Sequence, residues 1–504
     1  MSNITTRSTV AFITEESTEG NPVKPASGSE AVELQNGFDM SPALESLESE
    51  AIRASIGKSK KITAGESPTF DMSHYLKASG SEGVAPSWSK LAKALFGAID
   101  VESVEYATTS GSTVSQLAIT GAAANLIRGQ GLLIKDPVNG YRLRAVHELG
   151  TNTADMSFDV PNAPASGVNL GKSVTYYPAN TGHPTLTIWN YLGNGGATQM
   201  VAGARVTEMS VTCEANQLLN CDFSLEGLGY YFDPIEITSS TRYLDFTDDD
   251  GTWAAAVAAK FYKTPHDLAE ALQVAMAAAN PDQTPTVEYV DATGKFKIKT
   301  TGTVLSLLWN SGTNTANTIG TKLGFLVAAD DTGTGATTGY TADNAQSFAA
   351  PYTAAYDSTD PLVMKNQEVM IGDHDDYVCI DPSTCNWTIS NDKAVQESIC
   401  AESGKKGSVI TGRTVEVEVT ALLQKYDADK VRRYFKNSDT RVQLSFGEKE
   451  GGNWVPGKCG LLYLANGTIS EFDLQDLDGF VSMTMKVSGY VDASGNGEVF
   501  LALC

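Results

Sequence analysis

Two stretches of this chain repeat each other in register, so any fold it adopts must let both copies form the same structure. Glu50-Ala-Ile52-Arg-Ala54-Ser-Ile-Gly57-Lys58 matches Glu397-Ser-Ile399-Cys-Ala401-Glu-Ser-Gly404-Lys405 without a gap, with five identities. Directly after, Ile62-Thr63-Ala-Gly65 through Thr69-Phe70-Asp71-Met72-Ser73 aligns with Ile410-Thr411-Gly412 through Glu416-Val417-Glu418-Val419-Thr420 when one residue is skipped. Polar and apolar positions alternate identically in the two. That period of two predicts a strand with one buried and one wet face.

Each copy continues with a short amphipathic helix: Ser87–Phe96 with Trp88, Leu91 and Leu95, and Asp427–Lys436 with Val431, Tyr434 and Phe435. Both close on a strand, a polar turn and a second alternating strand. Val206-Thr-Glu208-Met209 through Cys221-Asp-Phe223-Ser-Leu225-Glu-Gly227 parallels Ile469-Ser-Glu471-Phe472 through Met483-Thr-Met485-Lys-Val487-Ser-Gly489, with a one-residue gap. The first copy is longer, and the excess is placed at about 98–183. The resulting division is a flexible N-terminal arm at 1–40, a first β domain at 41–235, an inserted α+β domain at 236–350, a linker at 351–369 and a second β domain at 370–504. In the insertion, strands at Tyr243–Thr247, Thr286–Val290 and Lys295–Thr300, a helix at His266–Ala279 and an acidic turn at Asp248–Gly251 are predicted.

The 504 residues carry a formal charge of −24, which disfavours gripping nucleic acid phosphates. Charged residues make up only 19 % of the chain, and the abundance of Gly, Ser, Thr and Asn favours turn-rich β structure. Seven dispersed cysteines, an odd number, argue against a disulfide scaffold and for assembly in a reducing cytoplasm. No signal peptide and no apolar run of membrane-spanning length is present, so no membrane span is expected.

Catalytic, cofactor and metal spacings do not hold. Gly167-Val-Asn-Leu-Gly171-Lys172-Ser173 is one residue short of a phosphate loop. His147-Glu148 lacks the second histidine of a zinc helix, and no cysteines are spaced as in a zinc knuckle. Asp248-Asp249-Asp250-Gly251 lacks the twelfth-position glutamate of a calcium loop and reads as a hairpin turn. Lys58–Lys61 and Lys430–Arg433 are isolated basic clusters without interleaved aromatics. No enzyme and no cofactor is expected.

The run Ile52–Gly97, with its strand Glu66–Tyr75, the loop Gly80-Ser-Glu-Gly-Val-Ala-Pro86 and the helix ending Leu91-Ala-Lys-Ala-Leu-Phe-Gly97, resembles the front half of siphophage tail tube proteins. Val206–Tyr230 resembles their closing hairpin, and about 370–504 resembles a compact tube domain. The resemblance implies a mainly β chain with two tandem tail-tube domains, each a β-sandwich or half-barrel with a flanking helix, plus the small α+β insertion. It implies a virion structural protein, assembled in the host bacterial cytoplasm, that stacks as rings around a channel for viral DNA ejection. Two domains per chain imply trimeric rings with pseudo-six-fold symmetry. The implied partners are further copies of the chain, the tape measure protein and the tail terminator and distal tail proteins, with viral dsDNA passing through without specific binding. Under this reading the alternation assigns Thr69, Asp71, Ser73, Glu416, Glu418 and Thr420 to the lumen, with Asp222, Ser224, Glu226 and Thr484 from the closing strands. The alternative is a receptor- or carbohydrate-binding distal tail protein, which would display Trp253, Tyr262 and Trp309 of the insertion rather than bury them.

Overall fold

The computed structural model describes residues 8–35, 38–49, 60–193, 195–333, 336–375, 377–401, 403–424, 428–477, 479–492 and 497–504. The first copy of the opening repeat, Glu50–Lys58, lies outside them. The chain is mainly β, with many antiparallel sheets and a half-barrel. It forms two compact units: residues 1–11, 188–201 and 229–353, and residues 12–187, 202–228 and 354–504.

The smaller unit owes its helix, Pro265–Ala279, to a reciprocal cap. Thr264 Oγ1 accepts from the Asp267 amide at 3.2 Å, Asp267 Oδ2 accepts from the Thr264 amide at 2.8 Å, and Pro265 occupies the first turn. Leu268, Leu272 and Met276, four apart, are buried against a core that includes Phe246, Phe296, Ile298, Leu307 and Trp309. Strands Tyr243–Asp248 and Gly251–Ala256 pair across the acidic turn, where Asp248 accepts from the Asp250 amide and Trp253 Nε1 at 3.0 Å each. Tyr262 and Trp309 are buried and Trp253 is half-buried, so these aromatics are packing residues.

In the larger unit the first copy contributes β1 (Phe38–Ser41), β2 (Leu44–Leu47), β3 (Ile62–Glu66), β4 (Thr69–Tyr75), α1 (Ser89–Phe96), β5 (Gly97–Glu102), β6 (Ser173–Pro178), β7 (Ala197–Thr212, which belongs to this unit from Ala202 on) and β8 (Asn220–Glu226). The second contributes β9 (Pro382–Glu397), β10 (Lys405–Leu422), α2 (Ala428–Lys436), β11 (Arg441–Glu450), β12 (Asn453–Leu464), β13 (Gly467–Leu477), β14 (Phe480–Gly489) and β15 (Val499–Leu503). Eight of these strands hydrogen-bond in the order β1-β4-β8-β7-β9-β10-β14-β13, the first four from one copy and the last four from the other.

The copies match pair by pair. Phe70 faces Leu225 and Met72 faces Phe223 across β4–β8, as Val417 faces Val487 and Val419 faces Met485 across β10–β14. Met40 stands opposite Phe70 as Trp387 stands opposite Val417. In the closing hairpins the ladder is interrupted between Val206 and Glu208 and, at the equivalent place, between Ile469 and Glu471. The extra residue of each bulge returns its hydroxyl to the same carbonyl: Thr207 Oγ1 donates to Ser224 O at 3.1 Å, and Ser470 Oγ donates to Lys486 O at 3.3 Å. A second shared bulge corrects the sequence alignment. Glu45 pairs with Gly65 and Ser46 with Thr63, as Asp392 pairs with Gly412 and Lys393 with Ile410. Gly65 is therefore the counterpart of Gly412 and Thr63 of Ile410, with no residue skipped. The Ile-Thr identity that suggested the gap falls on unlike positions of the two ladders.

A seven-stranded sheet in the same unit draws on both copies, with β11 and β12 on one side of β15 and β6 and β5 on the other. Between β5 and β6 the chain makes a six-stranded sheet, from Tyr106–Ala107 to Asn169–Leu170, with its own apolar cluster around Leu132, Ile134, Val146 and Met156. Helix α1 buries Leu91 and Leu95, and Trp88 just before it, as the apolar spacing requires. Helix α2 differs: Tyr434 stacks on Phe472, but Phe435 is 80 % exposed.

Part of the N-terminal segment, Val10–Glu15, forms a strand in which Ala11, Phe12 and Ile13 are buried. The next residue, Glu16, accepts from the hydroxyls of Thr185 and Thr187 and the amides of Gly20 and Gly203. Burial raises the pKa of this carboxyl, and these bonds hold it in place. A four-residue apolar run inside a polar stretch is too short to stand out in composition. The segment 354–367 is likewise docked, with Asp357 accepting from the amide and hydroxyl of Ser87.

Candidate functional site

Alternation in these eight strands, which belong to a twelve-stranded sheet, puts one face into the core and leaves the other to water. Phe70, Met72, Phe223, Leu225, Val417, Val419, Met483 and Met485 are all at most 2 % exposed. Each such side chain gains roughly 1.5–3 kcal/mol by burial, which fixes the register, since a one-residue slip would send all of them to solvent.

The ten residues singled out from the sequence occupy the opposite face. Thr69 pairs with Glu226, Asp71 with Ser224 and Ser73 with Asp222. Glu416 and Glu418 pair with Ser488 and Lys486, and Thr420 pairs with Thr484, their hydroxyls 3.1 Å apart. The junction between the copies carries the same face across the sheet, because Glu208 pairs with Ser390 and Ser210 with Thr388. Thr388 pairs with Glu416 in turn. Sequence reasoning left out Glu208, Ser210, Asn386, Thr388, Ser390, Glu471, Asp473 and Lys486, which share the face. The signal was there in Cys385, Trp387 and Ile389, which alternate with Asn386, Thr388 and Ser390 and are buried to 1 % or less.

The face is rich in carboxylates: Asp71, Glu208, Asp222, Glu226, Glu416, Glu418, Glu471 and Asp473, all exposed or half-exposed. Lys486 stands among them, its ammonium 2.9 Å from Glu471. That bond, with Glu418 and Glu416 nearby, holds the lysine above its ordinary pKa. Glu226 is paired with Lys393 at 2.6 Å and Glu208 accepts from Ser390 Oγ at 3.1 Å. Such a surface repels polyanions.

Two further sequence candidates make internal hydrogen bonds. In Gly167–Ser173 the amides that a phosphate loop would turn inward are already used: Gly167 N donates to Thr108 O, Val168 N to Thr108 Oγ1 and Gly171 N to Leu133 O, at 2.7–3.0 Å. His147 is packed beside Tyr463, its Nδ1 2.9 Å from the phenol oxygen. Asp373, His374 and Asp375 bring three potential metal ligands together on the surface, with Arg441 already 3.8 Å from Asp373. Among the described residues, no helix is long and apolar enough to cross a membrane. No protein-family model matches the chain, and no curated protein matches its sequence.

Proposed function

We propose that the chain is a structural subunit of the tail tube of a long-tailed bacteriophage, stacking as rings whose channel conducts viral DNA. The observation that carries this reading is the head-to-tail order of the two copies in one sheet: the last strand of the first copy, β7, pairs with the first strand of the second, β9. Among the described residues, a repeat joined in this way leaves the outer edge of β1 and that of β13 from Glu471 onward unpaired, which further copies can extend until a ring closes and no edge remains. The carboxylate-rich face suits a conduit, because duplex DNA passes a like-charged wall without adhering. The tape measure, terminator and distal tail proteins complete the set of partners on this reading.

Purified protein examined by negative-stain microscopy is expected to form rings or tubes; monodisperse particles without a channel would overturn the proposal. Two repeats per chain give three chains in a pseudo-six-fold ring, so native mass measurement of one ring should return three subunits, and six would exclude this arrangement. Replacing Glu416 and Glu418 with Lys converts two repelling positions per subunit into phosphate-binding ones. These exposed changes should leave assembly intact and slow DNA ejection on the order of tenfold or more at low salt. Ejection at the parental rate would remove these residues from the passage.

A further inference from the structure

The two ends of the repeated sheet are not covered as their internal counterparts are. In the first copy Met209 and Val211 of β7 are 0 % and 1 % exposed, because β9 lies beside them. The bulge-matched counterparts on β13 are Phe472 and Leu474; Phe472 is half-buried and Leu474 is 54 % exposed. At the other end, Asn391 is 6 % exposed while its counterpart Leu44 is 60 % exposed. Apolar side chains thus stand in water at positions that the same fold buries when a neighbouring copy is present.

We infer that β13 pairs with β1 of a second copy of this chain, antiparallel and in the register that the β7–β9 junction already displays. In that junction Val211 is opposite Trp387 and Ser210 is opposite Thr388. Transferred through the repeat, Leu474 lies opposite Met40 of the second copy and Asp473 opposite Ser41. Pro42, which follows β1, has no amide hydrogen to give and limits the ladder there. The occupant is another copy and not an unrelated strand, because the internal junction shows these two strand types already fitted to each other. This inference rests on the self-assembling reading above and adds to it the register of the contact.

The test is disulfide trapping in the full chain, with the exposed Cys400 changed to Ser to lower background. Two variants are made, Ser41→Cys with Asp473→Cys and Met40→Cys with Leu474→Cys. Directly opposite pairs alternate between close and wide, so one of these two brackets the close geometry a disulfide needs. A third variant, Ser41→Cys with Gln475→Cys, places the thiols diagonally at about 7–8 Å, too far to bond. Under mild oxidation the expected result is a reductant-sensitive ladder of linked chains from one direct pair, at about ten times the yield of the diagonal pair. Rings that assemble but link only through the diagonal pair, or through none, would overturn the register and leave the tube reading standing. Protein that stays monomeric with and without the substitutions would overturn both.

Discussion

Truncation after Glu498 is expected to abolish folding of the larger unit. The residues removed include β15, which lies between β12 and β6 and pairs with both: Leu501 faces Leu462 on one side and Tyr176 on the other, and Leu503 faces Gly460 and Val174. Val499, Phe500, Leu501 and Leu503 are each at most 3 % exposed. At roughly 1.5–3 kcal/mol per side chain, their burial contributes on the order of 6–12 kcal/mol, comparable with the entire 5–15 kcal/mol by which a typical domain is stable. Loss of the strand also leaves two rows of buried backbone donors and acceptors without partners. The fit around it is close. Gly129, at φ 80°, leaves no room for a Cβ because the Phe500 ring occupies that space, so the neighbouring loop cannot collapse into the gap without moving its backbone. The truncated chain should appear in the insoluble fraction, or show no cooperative melt of the larger unit. Leu501→Ala, which keeps the ladder, should cost roughly 2–5 kcal/mol and lower the melting temperature by about 5–10 °C. A truncated protein that melts cooperatively within about 5 °C of the parent would show that β15 is not a central element.

How far such features could be read in advance depended on whether the sequence pattern carries their direction. Alternation does: Phe70 and Met72 against Asp71, and Val417 and Val419 against Glu418, state which face is wet, and the sheet obeys them. Capping does as well, since Thr264, Pro265 and Asp267 fix the start of the helix in the smaller unit. The run Val499-Phe-Leu-Ala-Leu503 carries no such direction. A strand covered on both faces is apolar throughout, and five such residues do not distinguish strand from helix or name their partners. Bulges are invisible for a related reason: Ala64 and Thr411 have nothing in common that marks them as extra residues, and only the pairing of their neighbours reveals them. The wet face was legible residue by residue on β4, β8 and β10 and in part on β14, but not on β7 and β13, where the bulge residues Thr207 and Ser470 break the alternation although those repeats also match. Its extension across β7 and β9 required knowing that those two strands are neighbours, a contact between residues far apart in the chain that no local pattern encodes.

Stability of the larger unit should fall as the pH is lowered through the histidine range, and much of that loss should be traceable to His74. Its ring is 2 % exposed and lies between Trp88 and Phe223, with centroids 5.4 Å from each. The Nδ1–H donates to Tyr75 O at 2.8 Å, while Nε2 is buried with no hydrogen-bond partner among the described residues, so the ring is held neutral. Burial pushes its pKa down to about 4, outweighing the bond to Tyr75 and the pull of Asp222. An unfolded histidine titrates near 6.5. Between these values the unfolded chain binds a proton that the folded one does not, so the full stability is present above about pH 6.5 and is lost as pH falls toward about 4. The loss from His74 amounts to about 2 kcal/mol between pH 7.5 and pH 5, and about 3 kcal/mol once pH 4 is passed. His147, pushed down to about 3 by burial and then by Arg441 and Arg128, works in the same direction with a smaller share because it is only partly buried. Glu16, whose pKa is raised by burial, works the other way and offsets part of the loss. Denaturant unfolding of the parent and of His74→Asn at pH 7.5 and pH 5 isolates the histidine term. The substitution should lower stability at pH 7.5 yet shrink the difference between the two pH values by about 2 kcal/mol; an unchanged difference would mean that His74 is not the group whose protonation unfolds the sheet.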